Sequence, residues 1–187
     1  MSEKLDIRKF SKKELIDYFV GMGEKKFRAK QIYEWLWKKS ATSFDEMTNL
    51  SKSLREHLND KFEIRNISTD LVQHSNDGTI KSRFTLHDDH LIESVLIPVP
   101  SDSRFTVCVS SQVGCGLTCT FCATGQMKLK RNLDASEIYD QVVVIDKQSR
   151  LYHNKKLTNI VFMGMGEPLM NYKNVLKSIE MITSPEG

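Results

Sequence analysis

No stretch of this sequence approaches the roughly 18 consecutive apolar residues of a membrane-spanning helix. The opening residues, MSEKLDIRKFSKKEL, scatter charges throughout and hold no apolar centre, so they do not read as a secretory signal. Glycine and proline are scarce, nine and four among 187 residues, which excludes collagenous and low-complexity chains. What remains is 40% hydrophobic and 27% charged, enough apolar material for a packed core. At roughly 150 residues per domain, the length allows one domain or two small ones. Together these features predict a soluble cytoplasmic protein without membrane association. The net charge of +3 is unevenly spread: +4 over residues 1–61, −3 over 62–100 and +2 over 101–187. Such a balance permits a nucleic-acid partner without demanding one.

Ser11 stands three residues before Glu14, a capping-box spacing ahead of Leu15, Ile16, Phe19 and Val20. A short helix is predicted there, ended by Gly21 and Gly23. Phe27, Ile32, Trp35 and Leu36 recur at helical spacing through about Lys39, and a third helix fits 51–61, with Leu54 and Leu58 one turn apart. Residues 1–61 therefore read as a small helical domain. From Glu63 the texture becomes β-branched and alternating. Strands are predicted at 64–72, 80–86, 90–98 and 105–110, with Asn76-Asp77-Gly78 and Asp88-Asp89 as hairpin turns.

After Gly125 helical periodicity returns. Asp134 with Glu137 opens a helix to about Ser149, with Ile138, Val142 and Ile145 on one face. A short apolar strand fits 157–163, and a helix fits 171–182 with Val175, Leu176 and Ile179 inward. This β-α-β-α order marks an α/β protein with a parallel sheet or barrel. Two parallel strands cannot close a barrel. A third is expected where the sequence stops at Ser184-Pro185-Glu186-Gly187, so a C-terminal truncation is expected, with exposed sheet edges and poor solubility. The domain reading is 1–61, a β-strand extension over 62–100, and an incomplete α/β core over 101–187.

The four cysteines are Cys108, Cys115, Cys119 and Cys122, and the last three have the spacing C-x3-C-x2-C. Without secretory features a disulfide framework is a poor reading. Thiolates this close on a glycine-containing loop can converge on one soft metal centre. Zinc would want a fourth ligand. Cys108 lies seven residues upstream in a predicted strand, and His153 lies 31 residues beyond Cys122. Three cysteines with no evident fourth fit a [4Fe–4S] cluster with one open iron better than zinc or an electron carrier.

The stretch Cys108-Val109-Ser110-Ser111-Gln112-Val113-Gly114-Cys115, followed by Cys119-Thr120-Phe121-Cys122-Ala123-Thr124-Gly125, is distinctive. With Arg131-Asn132-Leu133, Phe162-Met163-Gly164-Met165-Gly166-Glu167-Pro168-Leu169 and Phe27-Arg28-Ala29-Lys30-Gln31-Ile32, it resembles the RlmN/Cfr family of radical S-adenosylmethionine (SAM) adenine methyltransferases, closest to its RlmN branch. The resemblance implies the first two βα units of a partial radical SAM barrel. It implies methylation of adenine carbon 2 in 23S rRNA and tRNA through a methyl-cysteine carrier and a 5′-deoxyadenosyl radical. It assigns Cys115, Cys119 and Cys122 to the [4Fe–4S] cluster, and Gly166 and Glu167 to the amino group of SAM. Glu93 matches the family's proton acceptor near the target base, and Cys108 its second cysteine. A low-potential electron donor such as flavodoxin or ferredoxin is implied as well. The carrier cysteine has no counterpart here, since no cysteine follows Cys122. The alternative is a catalytically incomplete RNA-binding, iron–sulfur fragment of such an enzyme.

Two basic clusters are candidate phosphate contacts: Lys25, Lys26, Arg28 and Lys30, and Lys128, Lys130 and Arg131. Each by itself reads more readily as a solvated face. Trp35 and Trp37 read as core and flank, and His87 and His90 as solvated.

Overall fold

The Glu14 amide donates to the Ser11 hydroxyl at 3.2 Å while the Ser11 amide donates to the Glu14 carboxylate at 2.7 Å, satisfying two donors that a bare helix start leaves open. Helix α1 (Lys12–Gly21) begins on that box. A computed structural model describes residues 4–184 of the chain, in two compact units. The first runs to Arg65 and includes the segment from Met181 on. In it, α1, α2 (Lys26–Trp37) and α3 (Lys52–Lys61) bury Leu15, Phe19, Ile32, Leu36, Leu54 and Leu58. Each such side chain stabilises the fold by about 1.5–3 kcal/mol. A two-stranded parallel pairing of β1 (Leu5–Asp6) with β2 (Phe62–Glu63) ties the ends of this helical unit together. Trp37 is core. Trp35 flanks it, half-buried, with its indole N–H on Asn49 at 2.7 Å and the Lys39 ammonium 3.6 Å from the ring centroid.

The second unit, Asn66–Glu180, is built on one mixed sheet. Its strands are β3 (Ser68–His74), β4 (Ile80–Thr85), β5 (Leu91–Val99), β6 (Arg104–Cys108) and, after two short strands in the intervening loop, β9 (Asn159–Val161). Those short strands are β7 (Gln112–Val113) and β8 (Arg131–Asn132), which pair with each other and flank the one-turn helix α4 (Ala123–Gln126). Helix α5 (Ala135–His153) carries the chain from β8 to β9, and α6 (Tyr172–Thr183) follows. Strands β3 to β6 are antiparallel neighbours, and β9 adds parallel to β6 with Val107 opposite Ile160 and Cys108 opposite Val161.

One face of the sheet is apolar. Ile80, Phe84, Ile92, Leu96, Phe105 and Val107 are all buried on it, as the period-2 alternation requires. Ile138, Val142 and Ile145 of α5 supply the opposing layer, as their helical spacing predicts. Two polar seams cross this interface: Ser82 donates to Gln148 at 2.9 Å and Ser94 to Gln141 at 2.7 Å. Among the described residues, no helix is long and apolar enough to cross a membrane.

Several elements differ from the sequence reading. The first predicted strand, 64–72, forms at Ser68–His74, because residues 62–63 pair with β1 in the helical unit and the next residues are connector. The predicted 157–163 strand shortens to Asn159–Val161. Thr158 is held by its side chain, which accepts from the Phe105 amide at 2.9 Å, and Gly164 already donates to the Val109 carbonyl. The 62–100 extension is not a unit apart, since β3 to β5 share one sheet with β6 and β9. On α6, Val175 is buried but Leu176 and Ile179 are exposed. The helix is rotated by Asn171, whose buried amide donates to the carbonyls of Ser111 and Leu133 at 2.8 Å each. The expected third strand falls at residues 185–187 and beyond, outside the described residues.

Candidate functional site

Ligands of parallel α/β folds gather at the carboxyl ends of the strands, and here β6 and β9 end side by side. The ladder continues past their last residues: Val109 donates to the Val161 carbonyl at 2.9 Å, and Gly164 returns the bond to Val109 at 3.0 Å. The two backbones then run so close that side chains are excluded. A Cβ on Gly164 would stand 2.7 Å from the Val109 carbonyl oxygen and 2.8 Å from the Ser110 nitrogen. Gly166 adopts φ +93°, and a Cβ there would meet the Gln112 side chain at 2.4 Å. The Gly164-Met165-Gly166-Glu167 turn is thus pressed against Ser110-Ser111-Gln112.

Buried amides lock this crossing. Gln141 of α5 accepts from the Ser110 amide at 2.8 Å and donates to the Ser110 carbonyl at 3.1 Å. The Ser110 hydroxyl donates to the Glu93 carbonyl at 2.6 Å and accepts from the Met165 amide at 2.9 Å. Ser111 and Gln112 both donate to the Met165 carbonyl. The sequence reading singled out none of Ser110, Gln112, Gln141 and Asn171 as working residues. The first two lie inside the recognised motif, whereas Gln141 is one polar residue in a helix and carries no local signal.

The three clustered cysteines project on an excursion, residues 114–130, whose base is pinched shut. Gln112 pairs with Asn132 and Val113 with Arg131, Lys130 donates to the Val113 carbonyl at 2.9 Å, and Gly114, at φ +73°, lies where a Cβ would overlap the Lys128 carbonyl oxygen. Cys115 accepts from the Leu117 amide at 3.4 Å, and the Cys122 amide donates to the Cys119 carbonyl at 3.1 Å. All three thiols are free, with Cys119 exposed and the other two half-buried. The donor chemistry suits an iron–sulfur cluster: three soft sulfur ligands on one loop, with an amide already aimed at one of them. Their sulfurs do not stand together as a ready-made set. Among the described residues no group of three or more His, Cys, Asp or Glu side chains is gathered closely enough to hold a metal ion.

Glu93 and Cys108 share the sheet face opposite α5. Cys108 is the register partner of Val95, and Glu93 lies two residues before Val95 on the same strand. The Glu93 carboxylate pairs with Lys81 of β4 at 3.3 Å, both half-exposed. Burial pushes the Cys108 thiol pKa up, partly offset by a hydrogen bond from the Met163 backbone, so the thiol keeps its proton at neutral pH. Glu167 caps the 3-10 turn after it by accepting from the Leu169 amide at 3.0 Å. A cavity of about 420 Å³ opens beside Asn132, Met170 and Tyr172, and none of the predicted catalytic or ligand residues lines it.

The basic candidates divide. Lys25, Lys26, Lys30, Lys128 and Lys130 are exposed. Arg28 is half-buried, donating to Gln31 at 2.9 Å and to the Asn49 carbonyl at 3.3 Å. Arg131 is not a free phosphate contact. Its guanidinium forks onto Asp88 at 2.6 and 3.0 Å and onto Glu137 at 2.8 Å on each oxygen. That arrangement holds the Asp88 carboxyl pKa well below the usual range, the Arg131 hydrogen bonds being its largest cause. His90 approaches Asp88 at 3.0 Å and His87 approaches Glu137 at 4.0 Å, so neither histidine is simply solvated.

Two family models match the chain. One described as "Ribosomal RNA large subunit methyltransferase N-terminal domain" covers residues 5–64, and one described as "Radical SAM superfamily" covers 109–185. A Flavobacterium johnsoniae protein named "Probable dual-specificity RNA methyltransferase RlmN" is 58% identical over 99% of this chain and 52% of its own length. A Geotalea uraniireducens "Dual-specificity RNA methyltransferase RlmN" is 47% identical over 99% of this chain and 52% of its own. The crystal structure of a radical SAM methyltransferase from Sphaerobacter thermophilus superposes with a TM-score of 0.84 at 38% identity, covering 98% of this chain and 53% of that one. The chain spans about half the length of the curated relatives it matches.

Proposed function

We propose, from the premise that the chain belongs to the RlmN family of radical SAM proteins, that it carries the cluster-holding and cofactor-facing half of a methyltransferase acting on carbon 2 of adenine in 23S rRNA and tRNA. The observation that carries this reading is three free thiols on one excursion, rising beside a glycine turn at the ends of two parallel strands. Carbon 2 of adenine is electron-poor and its C–H bond is not acidic, so polar methyl transfer fails there. When bound, a [4Fe–4S] cluster with one open iron and SAM supplies the one-electron chemistry that avoids this barrier.

The residues of the chain bind and orient. Cys115, Cys119 and Cys122 would hold the cluster. Gly166 would bring its backbone to the cofactor, its missing Cβ making room for the Gln112 side chain behind it, and Glu167 would meet the cofactor's amino group. Lys81 keeps an ammonium against the Glu93 carboxylate, which accepts the proton lost from the base at an Oε atom. Cys108 presents a protonated Sγ on the same sheet face, placed to help release the RNA adduct. No cysteine follows Cys122 in the sequence to match the family's methyl carrier. A low-potential flavodoxin or ferredoxin is the proposed electron source, and the cytoplasm the proposed location.

Anaerobic reconstitution of the chain, followed by iron and sulfide analysis, tests the centre. About four of each per chain are expected, falling to background in Cys119→Ala. Zinc in place of iron, or unchanged uptake in that variant, would overturn the reading.

A further inference from the structure

Gln112 is completely buried and uses both ends of its side-chain amide. Its Oε1 accepts from the Glu167 amide at 2.9 Å, and its Nε2 donates to the Asn132 side chain at 2.7 Å. Its own backbone donates to the Met165 carbonyl at 3.2 Å and pairs with Asn132 across the β7–β8 ribbon. One side chain therefore bonds two loops at once: the turn carrying Gly166 and Glu167, and the base from which the cysteine excursion rises. Gly166 can pass because its missing Cβ leaves the space that the Gln112 stem occupies. An amide fits both partners, since it accepts from an N–H at one end and donates to a carbonyl at the other. A carboxylate keeps only the first bond and a methionine of similar volume keeps neither.

We propose that Gln112 is a positioning residue that couples the cluster loop to the cofactor turn, so that ordering the excursion on a cluster also fixes Glu167. The proposal rests on the reading of Cys115, Cys119 and Cys122 as cluster ligands and of Glu167 as the group facing the SAM amine. Its logic is geometric. With both feet of the excursion on the ribbon and Asn132 within that ribbon, a shift at the base is carried through 2.7 and 2.9 Å contacts to the Glu167 backbone. Both bonds are anchored at the completely buried Gln112 amide, which has no water to turn to if either partner is lost.

Amide hydrogen exchange on the 187-residue chain tests the coupling, read at Glu167 before and after anaerobic loading with iron and sulfide. In the unloaded wild type and in Gln112→Glu the Glu167 amide should be protected, and in Gln112→Met it should exchange roughly tenfold faster, the loss of one buried hydrogen bond. Loading should slow exchange at Glu167 in the wild type. It should do so much less in Asn132→Ala, which at an exposed position removes the distal bond together with the Asn132 bond to the Met170 carbonyl at 3.4 Å and leaves the Gln112–Glu167 bond in place. Equal Glu167 protection in Gln112→Met and wild type would overturn the proposal, as would an undiminished response to loading in Asn132→Ala. A chain that takes up no iron would sink the cluster reading instead, while the comparison of unloaded variants still decides whether the tie exists.

Discussion

Gly164 and Gly166 show how single atoms limit the site. At Gly164 an added Cβ would meet backbone at 2.7 and 2.8 Å, which no rotamer change relieves. At Gly166 the same methyl meets the Gln112 stem and the φ of +93° is strained for any other residue. Gly164→Ala and Gly166→Ala should each lower the unfolding free energy by roughly 2–3 kcal/mol in urea titrations. Gly21→Ala has open space around the new methyl and an ordinary φ at a helix end, and should raise it by up to about 1 kcal/mol. The Gly-Met-Gly pattern after an apolar run points in sequence to a cofactor contact, through the resemblance, and not to the protein's own segment 109–112, against which the two glycines press. Gln141 was not readable, because its partners Ser94 and Ser110 stand 47 and 31 residues away and nothing in helical periodicity marks them.

Arg131 works at the scale of elements, clamping the β4–β5 turn at Asp88 to the start of α5 at Glu137. A basic residue after a cysteine loop reads as a phosphate contact until the fold delivers its acidic partners, one of them 43 positions back. Because the Asp88 carboxyl titrates lower folded than unfolded, its stabilisation is fully present above its unfolded pKa of about 3.9 and is lost as the pH falls through the folded value. Asp88→Asn should therefore be less stable than wild type at pH 6–7, and the gap should shrink progressively below about pH 4 in denaturant midpoints across pH. A gap that held constant into acid would refute the clamp. Local signals placed the helix starts well, since Ser11 with Glu14 and Asp134 with Glu137 form the boxes their spacing foretold. The ribbon of β7 and β8 escaped notice, being two residues on each side and defined only by long-range pairing.

For the molecule as a whole, the lysines of the helical unit and of the cysteine excursion are exposed, and the proposed function makes them the candidate contacts to RNA phosphates. Replacing Lys25, Lys26 and Lys30 by Gln should weaken binding of an RNA hairpin and flatten the dependence of log K on log salt by about 0.7 per lost phosphate contact. Arg131→Gln should lose stability and leave that slope unchanged. The parallel β-α-β order and the three-cysteine spacing were both visible before any coordinates, because each depends on residues close in sequence. The sharing of one sheet by residues 68–108 and β9 was not, because it depends on which strand edges meet.

The pinched collar beneath residues 114–130 separates the fate of the metal from the fate of the fold. Its hydrogen bonds come from Gln112, Val113, Lys130 and Arg131, none of which ligates iron. Air that strips the inorganic core should leave an intact receptacle, with far-UV dichroism and melting temperature nearly unaltered. Oxygen damage at this centre would then be an injury mended by refilling, without any need to refold the polypeptide.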